Sequence, residues 1–155
     1  MNLRACSLFL CALTLVNAES AAGLKWTAPA GWKAQAGTRP MRVATYTADD
    51  AECVAYFFGE GQGGSIDANM ERWKNQFHGP AAKIGKRTIH GLQITTIDAS
   101  GDYTGMGETA KPGYRLLGAI VEGPGGNIFF KFTGPSKTIA ANQEKFESLL
   151  GSITK

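Results

Sequence analysis

The chain has 155 residues, of which 43% are hydrophobic and 19% charged, and its formal charge is +3. That length and composition suit one domain with a real core and exclude a disordered chain. No Lys/Arg run reaches the density of a nucleic-acid or membrane-surface patch, so neither partner is expected.

Residues 1–18 have the layout of a signal peptide. Arg4 supplies the positive start, Ala5 to Val16 a short apolar stretch, and Val16-Asn17-Ala18 a small-residue cleavage site. The apolar stretch is shorter than the roughly 20 residues that span a bilayer, so no stable membrane span is expected once the leader is gone. Cleavage is predicted after Ala18, with Ala21 and Ala22 as alternatives. Cys11 raises lipoprotein anchoring, but bulky Leu10 stands where a small residue is wanted. The expected location is the periplasm or the exterior. Removing Arg4 with the leader leaves 15 basic residues against 13 acidic ones, about +2. It also leaves Cys53 as the mature chain's single cysteine, so no internal disulfide can form.

The domain is predicted over residues 24–155. Leu24 to Ala28 alternates apolar and polar and predicts a short strand, broken at Pro29-Ala-Gly31. Trp26 and Trp32 then pack over one core edge or form a carbohydrate platform. Met41 to Thr47 is a second alternating strand. Glu52 to Phe58 is apolar in both registers, as is Leu116 to Val121, so both are expected in the middle of one sheet. The other strands look one-sided. From Ser65 the period changes: Ile66, Met70, Trp73 and Phe77 share a helical stripe, while Glu71, Arg72, Lys74 and Asn75 take the polar side. Ser65 is the expected N-cap, and His78-Gly79-Pro80 the expected stop.

Lys83 to Thr88 and Leu92 to Ala99 predict a hairpin turning at His90-Gly91. Ser100 to Pro112 looks like the longest irregular loop. Strands follow at Tyr114 to Glu122 and at Ile128 to Thr133, where Phe129 and Lys131 oppose Ile128, Phe130 and Phe132. A last helix, capped by Ser136 or Thr138, carries Ile139, Phe146, Leu149, Leu150 and Ile153 on one face. Hairpin-length connections favour antiparallel pairing. The predicted class is α+β: an antiparallel sheet of about six or seven strands with one helix on each face, a three-layer α/β/α sandwich.

Pro29-Ala-Gly-Trp32, Met41-Arg-Val-Ala44, Glu52 to Ile66, Glu71-Arg-Trp73, Gln76-Phe77, Pro112-Gly-Tyr-Arg115, Phe129-Phe-Lys131 and Gly134-Pro135 resemble a group of exported bacterial proteins of unknown role. The element order is similar to the PsbP-like fold, found in the extrinsic subunit of the photosystem II oxygen-evolving complex and in a Ran-binding nuclear-import factor. That resemblance implies a binding or assembly module.

The first candidate site is the glycine loop Gly61-Gln62-Gly63-Gly64-Ser65, between a strand and a helix, where freed backbone N–H groups attract anions. It lacks the lysine of a phosphate loop and reads first as a flexible strand-to-helix hinge, with anion or partner binding second. Catalytic motifs are absent, and His78 and His90 are not spaced for metal ligation. Asp98 and Asp102, which flank a loop near Tyr103 and Glu108, lack the oxygen spacing of a calcium loop and read as solvated loop acids. No cofactor or metal is implied. The expected function is an exported, non-catalytic module that binds a protein partner or small ligand through the glycine loop and the loop from Ser100 to Pro112. The alternative is a small secreted hydrolase or thiol enzyme using Cys53 with His78 or His90.

Overall fold

In the computed structural model, residues 18–37, 39–105 and 109–155 are described; the predicted leader lies almost wholly outside them. Ten strands and three helices follow in order: β1 (Ala18–Ala21), β2 (Leu24–Thr27), β3 (Lys33–Ala34), β4 (Arg42–Ala48), β5 (Ala51–Tyr56), α1 (Ile66–Lys74), β6 (Phe77–His78), β7 (Lys83–Ile89), β8 (Leu92–Tyr103), β9 (Lys111–Gly123), β10 (Gly126–Pro135), α2 (Ser136–Ala141) and α3 (Gln143–Gly151). Among the described residues, eight strands form one sheet in the order β3-β4-β5-β10-β9-β8-β6, with β7 also paired to β8. All its pairings are antiparallel.

Burial explains the layers. On one face β10 contributes Ile128, Phe130 and Phe132, which pack with Leu24 and Trp26 of β2 and with Ile139, Phe146 and Leu149 from α2 and α3. On the other face Phe129, Leu116, Ile120 and Ile97 lie beneath Met70 and Trp73 of α1. Gly118 makes this second contact possible: a Cβ there would sit 2.7 Å from the Trp73 ring, so only glycine lets the indole reach the sheet. Helices therefore cover both faces, as the two-sided strands require. β5 and β9 lie in the middle of the sheet as expected, and β10, which sits between them, is also buried on both sides.

Several boundaries moved for physical reasons. The stripe Ile66-Met70-Trp73-Phe77 does begin a helix, but α1 stops at Lys74 rather than at His78. Phe77 and His78 instead extend along the edge of β8, opposite Tyr103 and Asp102. The expected loop from Ser100 to Pro112 is shorter than predicted, since β8 runs to Tyr103 and β9 starts at Lys111, with residues 106–108 outside the described set. The last helix breaks at Asn142. Its buried side chain accepts from Trp32 Nε1 at 3.1 Å and donates to the Thr138 carbonyl at 3.0 Å. Neither Ser136 nor Thr138 caps it: Pro135 precedes the helix without a side-chain bond, and the Thr138 hydroxyl donates to Asp50. The hairpin at His90-Gly91 forms as predicted, both residues holding positive φ (48° and 76°). β1 pairs with β2 ahead of the predicted domain start at residue 24.

Candidate functional site: an aromatic cleft with a half-buried lysine

The predicted site residues fall in two places. Ser65 caps α1, its hydroxyl accepting from Ala68 N–H at 3.2 Å. The glycines before it make a sharp connection, with φ of 67° at Gly61, 93° at Gly63 and 79° at Gly64. Gly63 has a packing duty as well, since a Cβ there would meet Phe58 at 2.8 Å and Phe129 at 3.0 Å. Asn69, buried in the first turns of α1, then ties the loop down by donating to the Gly63 and Ser65 carbonyls, both at 2.8 Å. Gln62 reaches back through its N–H to the Gly59 carbonyl at 3.1 Å. The loop is a braced connection, with Gly63 laid against the rings of Phe58 and Phe129.

Those rings belong to a cleft that the sequence did not point to. Between α1 and the sheet lies a cavity of about 350 Å³, within the size range of small-ligand sites. Tyr56 and Phe58, at and just beyond the end of β5, form one wall and stack with ring centroids 5.9 Å apart. Phe129 meets Phe58 edge-on at 5.2 Å. Trp73 and Gln76 come from the α1 side, and Tyr103 from the end of β8.

Lys131 of β10 lines this cleft. Its ammonium donates to Gln76 Oε1 at 2.6 Å and stands 5.6 Å from the centre of the Tyr103 ring. Among the described residues no carboxylate pairs with it. Burial, with a smaller push from the Arg72 guanidinium, lowers its pKa from 10.5 to about 8. Arg72 stands at the rim and is held by Asn69 Oδ1, so one amide links the glycine loop to the cleft. On the opposite wall burial raises the Tyr56 pKa, against the Arg42 cation that stands 5.6 Å from its ring centre. Arg42 itself is neutralised by Glu52 at 3.0 Å. A second hollow beside β3 and β4 mixes Glu19 with Arg39 and Arg42, and has no comparable isolated charge.

The thiol-enzyme alternative is corrected by the same geometry. Cys53 is fully buried, and burial drives its thiol pKa up, away from the thiolate. Three strand spacings separate β5 from β8, which His90 precedes, and four separate it from β6, which carries His78. At about 4.8 Å each these are roughly 14 and 19 Å, where a nucleophile and base need about 3 Å. His90 Nδ1 lies 2.8 Å from the Ile153 carbonyl, a structural bond. Trp26 and Trp32 are buried, with their N–H groups on Tyr46 Oη at 2.9 Å and on Asn142, which removes the carbohydrate platform. Asp98 takes a two-pronged bond from Arg115, both arms at 2.8 Å, and Asp102 sits in β8. Glu108 lies outside the described residues. Among those described, no group of three His, Cys, Asp or Glu side chains could hold a metal, and no helix is long and apolar enough to cross a membrane.

Sequence reasoning missed Lys131, Arg72, Gln76 and Tyr103 as a group. One signal was present. In Ile128-Phe-Phe-Lys-Phe132 a lysine interrupts a strand buried on both faces, where a charge is costly.

The fold is PsbP-like. The solution structure of cyanobacterial PsbP (CyanoP) from Synechocystis sp. PCC 6803 matches with a TM-score of 0.59 over 98% of each chain, at 13% sequence identity. At that identity the likeness establishes the fold alone. A protein of unknown function from Pseudomonas aeruginosa matches over 90% of this chain and 96% of its own, with 11% identity and a TM-score of 0.49. No protein-family model matches the chain, and no curated protein matches it in sequence.

Proposed function

We propose that the protein is an exported, non-catalytic binding module whose small ligand occupies the cleft between α1 and the sheet. One observation carries this: a polar amine is kept, without a carboxylate partner among the described residues, inside an aromatic-walled cavity open to solvent. Such a group costs folding energy, and a ligand that bonds it returns some of that cost. The glycine loop then serves the site indirectly, by bringing α1 down onto Phe58 and Phe129. Cleavage after Ala18 agrees with this reading. It leaves Glu19, Ser20 and Ala21 paired with β2, whereas cleavage after Ala22 would remove the whole strand.

The test of the site is amide NMR on the purified chain titrated with 2-naphthol, a small aromatic probe. Shifts are expected at Tyr56, Trp73, Gln76 and Lys131, and weakened by Phe58→Ala. Shifts confined to other faces, or none, would refute the cleft. Location is tested by fractionating cells that express the full chain and sequencing the mature N-terminus. Export with Glu19 first is expected; an intact leader in the cytosol refutes it.

A further inference from the structure

The cleft's electrostatics say more than that it binds something. Its two cations come from different elements, Lys131 from the sheet and Arg72 from α1. The described residues that line it contain no acid. Apart from Gln76, the remaining described lining is flat rings: Tyr56, Phe58, Trp73, Tyr103 and Phe129. Rings tolerate flat apolar bodies by stacking. A cation pair that pushes on itself, as Arg72 does on Lys131, is relieved by a negative charge placed between or beside them.

We propose that the ligand class is the organic anion with a flat apolar body, such as an aryl carboxylate or sulfonate, its charge on Lys131 and Arg72 and its ring against the aromatic wall. This rests on the cleft being the binding site. The side chains divide the work. Lys131 reads the charge from within the cleft, and the exposed Arg72 adds attraction at the rim, where solvent screens it. Gln76 Oε1 fixes the ammonium and leaves its other two N–H donors for the ligand. A bare inorganic anion gains the charge contact but none of the stacking. A neutral ring gains the stacking but leaves the amine unpaired.

Calorimetric titration of the wild-type chain with four probes tests this: 2-naphthoate, 2-naphthalenemethanol, 2-naphthylmethylammonium and inorganic phosphate. Naphthoate is expected to bind at least tenfold tighter than the alcohol, with the ammonium weakest and phosphate weaker than naphthoate. Lys131→Met should cost naphthoate tenfold or more while leaving the alcohol within about twofold. Lys131→Arg should recover part of the loss, and Arg72→Met should cost a few-fold. Equal affinity for naphthoate and the alcohol, or a Lys131→Met chain that binds naphthoate normally, overturns the charge assignment and leaves the cleft standing. Phosphate binding as tightly as naphthoate overturns the flat-body requirement. Absence of binding by all four overturns the cleft and the ligand class together.

Discussion

Replacing Lys131 by methionine should make the protein more stable, which is the reverse of what most buried substitutions do. The ammonium is disfavoured in the folded chain because it is largely out of water and close to Arg72. A pKa moved from 10.5 to about 8 corresponds to about 3 kcal/mol against the charged form, at about 1.4 kcal/mol per tenfold change. The bond to Gln76 and the open mouth of the cleft return part of this, so a gain of about 1–3 kcal/mol at pH 7 is expected. For a domain of this size that is a rise in Tm of roughly 3–10 °C. The pH dependence gives the sharper check. Because the folded pKa lies below the unfolded one, the unfolded chain holds more protons between about pH 8 and 10.5, and wild-type stability rises across that window relative to the variant. Below about pH 8 the penalty is constant and complete. Urea unfolding of both chains should therefore show the full difference at pH 7 and about a quarter of it at pH 10. A variant less stable than wild type at pH 7, or a difference that ignores pH, would show that Lys131 is a structural residue and not a strained one.

The same titration governs binding: affinity for 2-naphthoate should fall as pH rises through about 8 in the wild type, and Lys131→Arg should flatten that profile. Among the described residues, the titratable groups facing Lys131 are Arg72 from α1, Tyr56 from β5 and Tyr103 from β8, and an arginine at position 131 stays charged throughout. Ser65→Ala should cost about 1 kcal/mol by removing the α1 cap, read from urea midpoints. Cys53 should react with a thiol reagent such as DTNB only at the rate of unfolding, and prompt labelling in native buffer would contradict its burial. Gly118→Ala should lift Trp73 from the sheet at a cost of about 1–3 kcal/mol and red-shift tryptophan emission, whereas an unchanged spectrum would disprove the close contact.

What was legible in the chain was local. Ser65 ahead of an amphipathic stripe, and His90-Gly91 between alternating runs, state their structures through backbone chemistry that acts within a few residues. The errors arise where a distant partner outbids the local pattern. Phe77 continues the helical stripe, yet the open edge of β8 draws it into β6. Asn142 interrupts a sound helical pattern because Trp32, far away in sequence, donates to its side chain. The polar, glycine-rich stretch from Ser100 reads as a loop, but β9 continues alongside Ser100 and Gly101 and keeps them in the sheet. The cleft follows the same rule. Lys131 was visible as a charge in an apolar strand, while Arg72 looked like an ordinary residue on the polar side of a helix and Gln76 like a polar residue near its end. Only the docking of α1 against the sheet face makes them neighbours.

The pairing of β5 with β10 also orders events in time. Strands β7 to β10 form a continuous meander of neighbours in sequence, each hairpin closing a short loop. Cys53 meets Phe132 only after the whole intervening chain has been gathered in, a closure that costs more entropy and yields contacts later. Folding is thus expected to nucleate in the meander and to add β4 and β5 last. Substitutions at Ile94 or Val121 would slow refolding, while those at Cys53 or Tyr46 would mainly speed unfolding. The cleft, which needs Tyr56 from β5, would then be the last part of the molecule to exist.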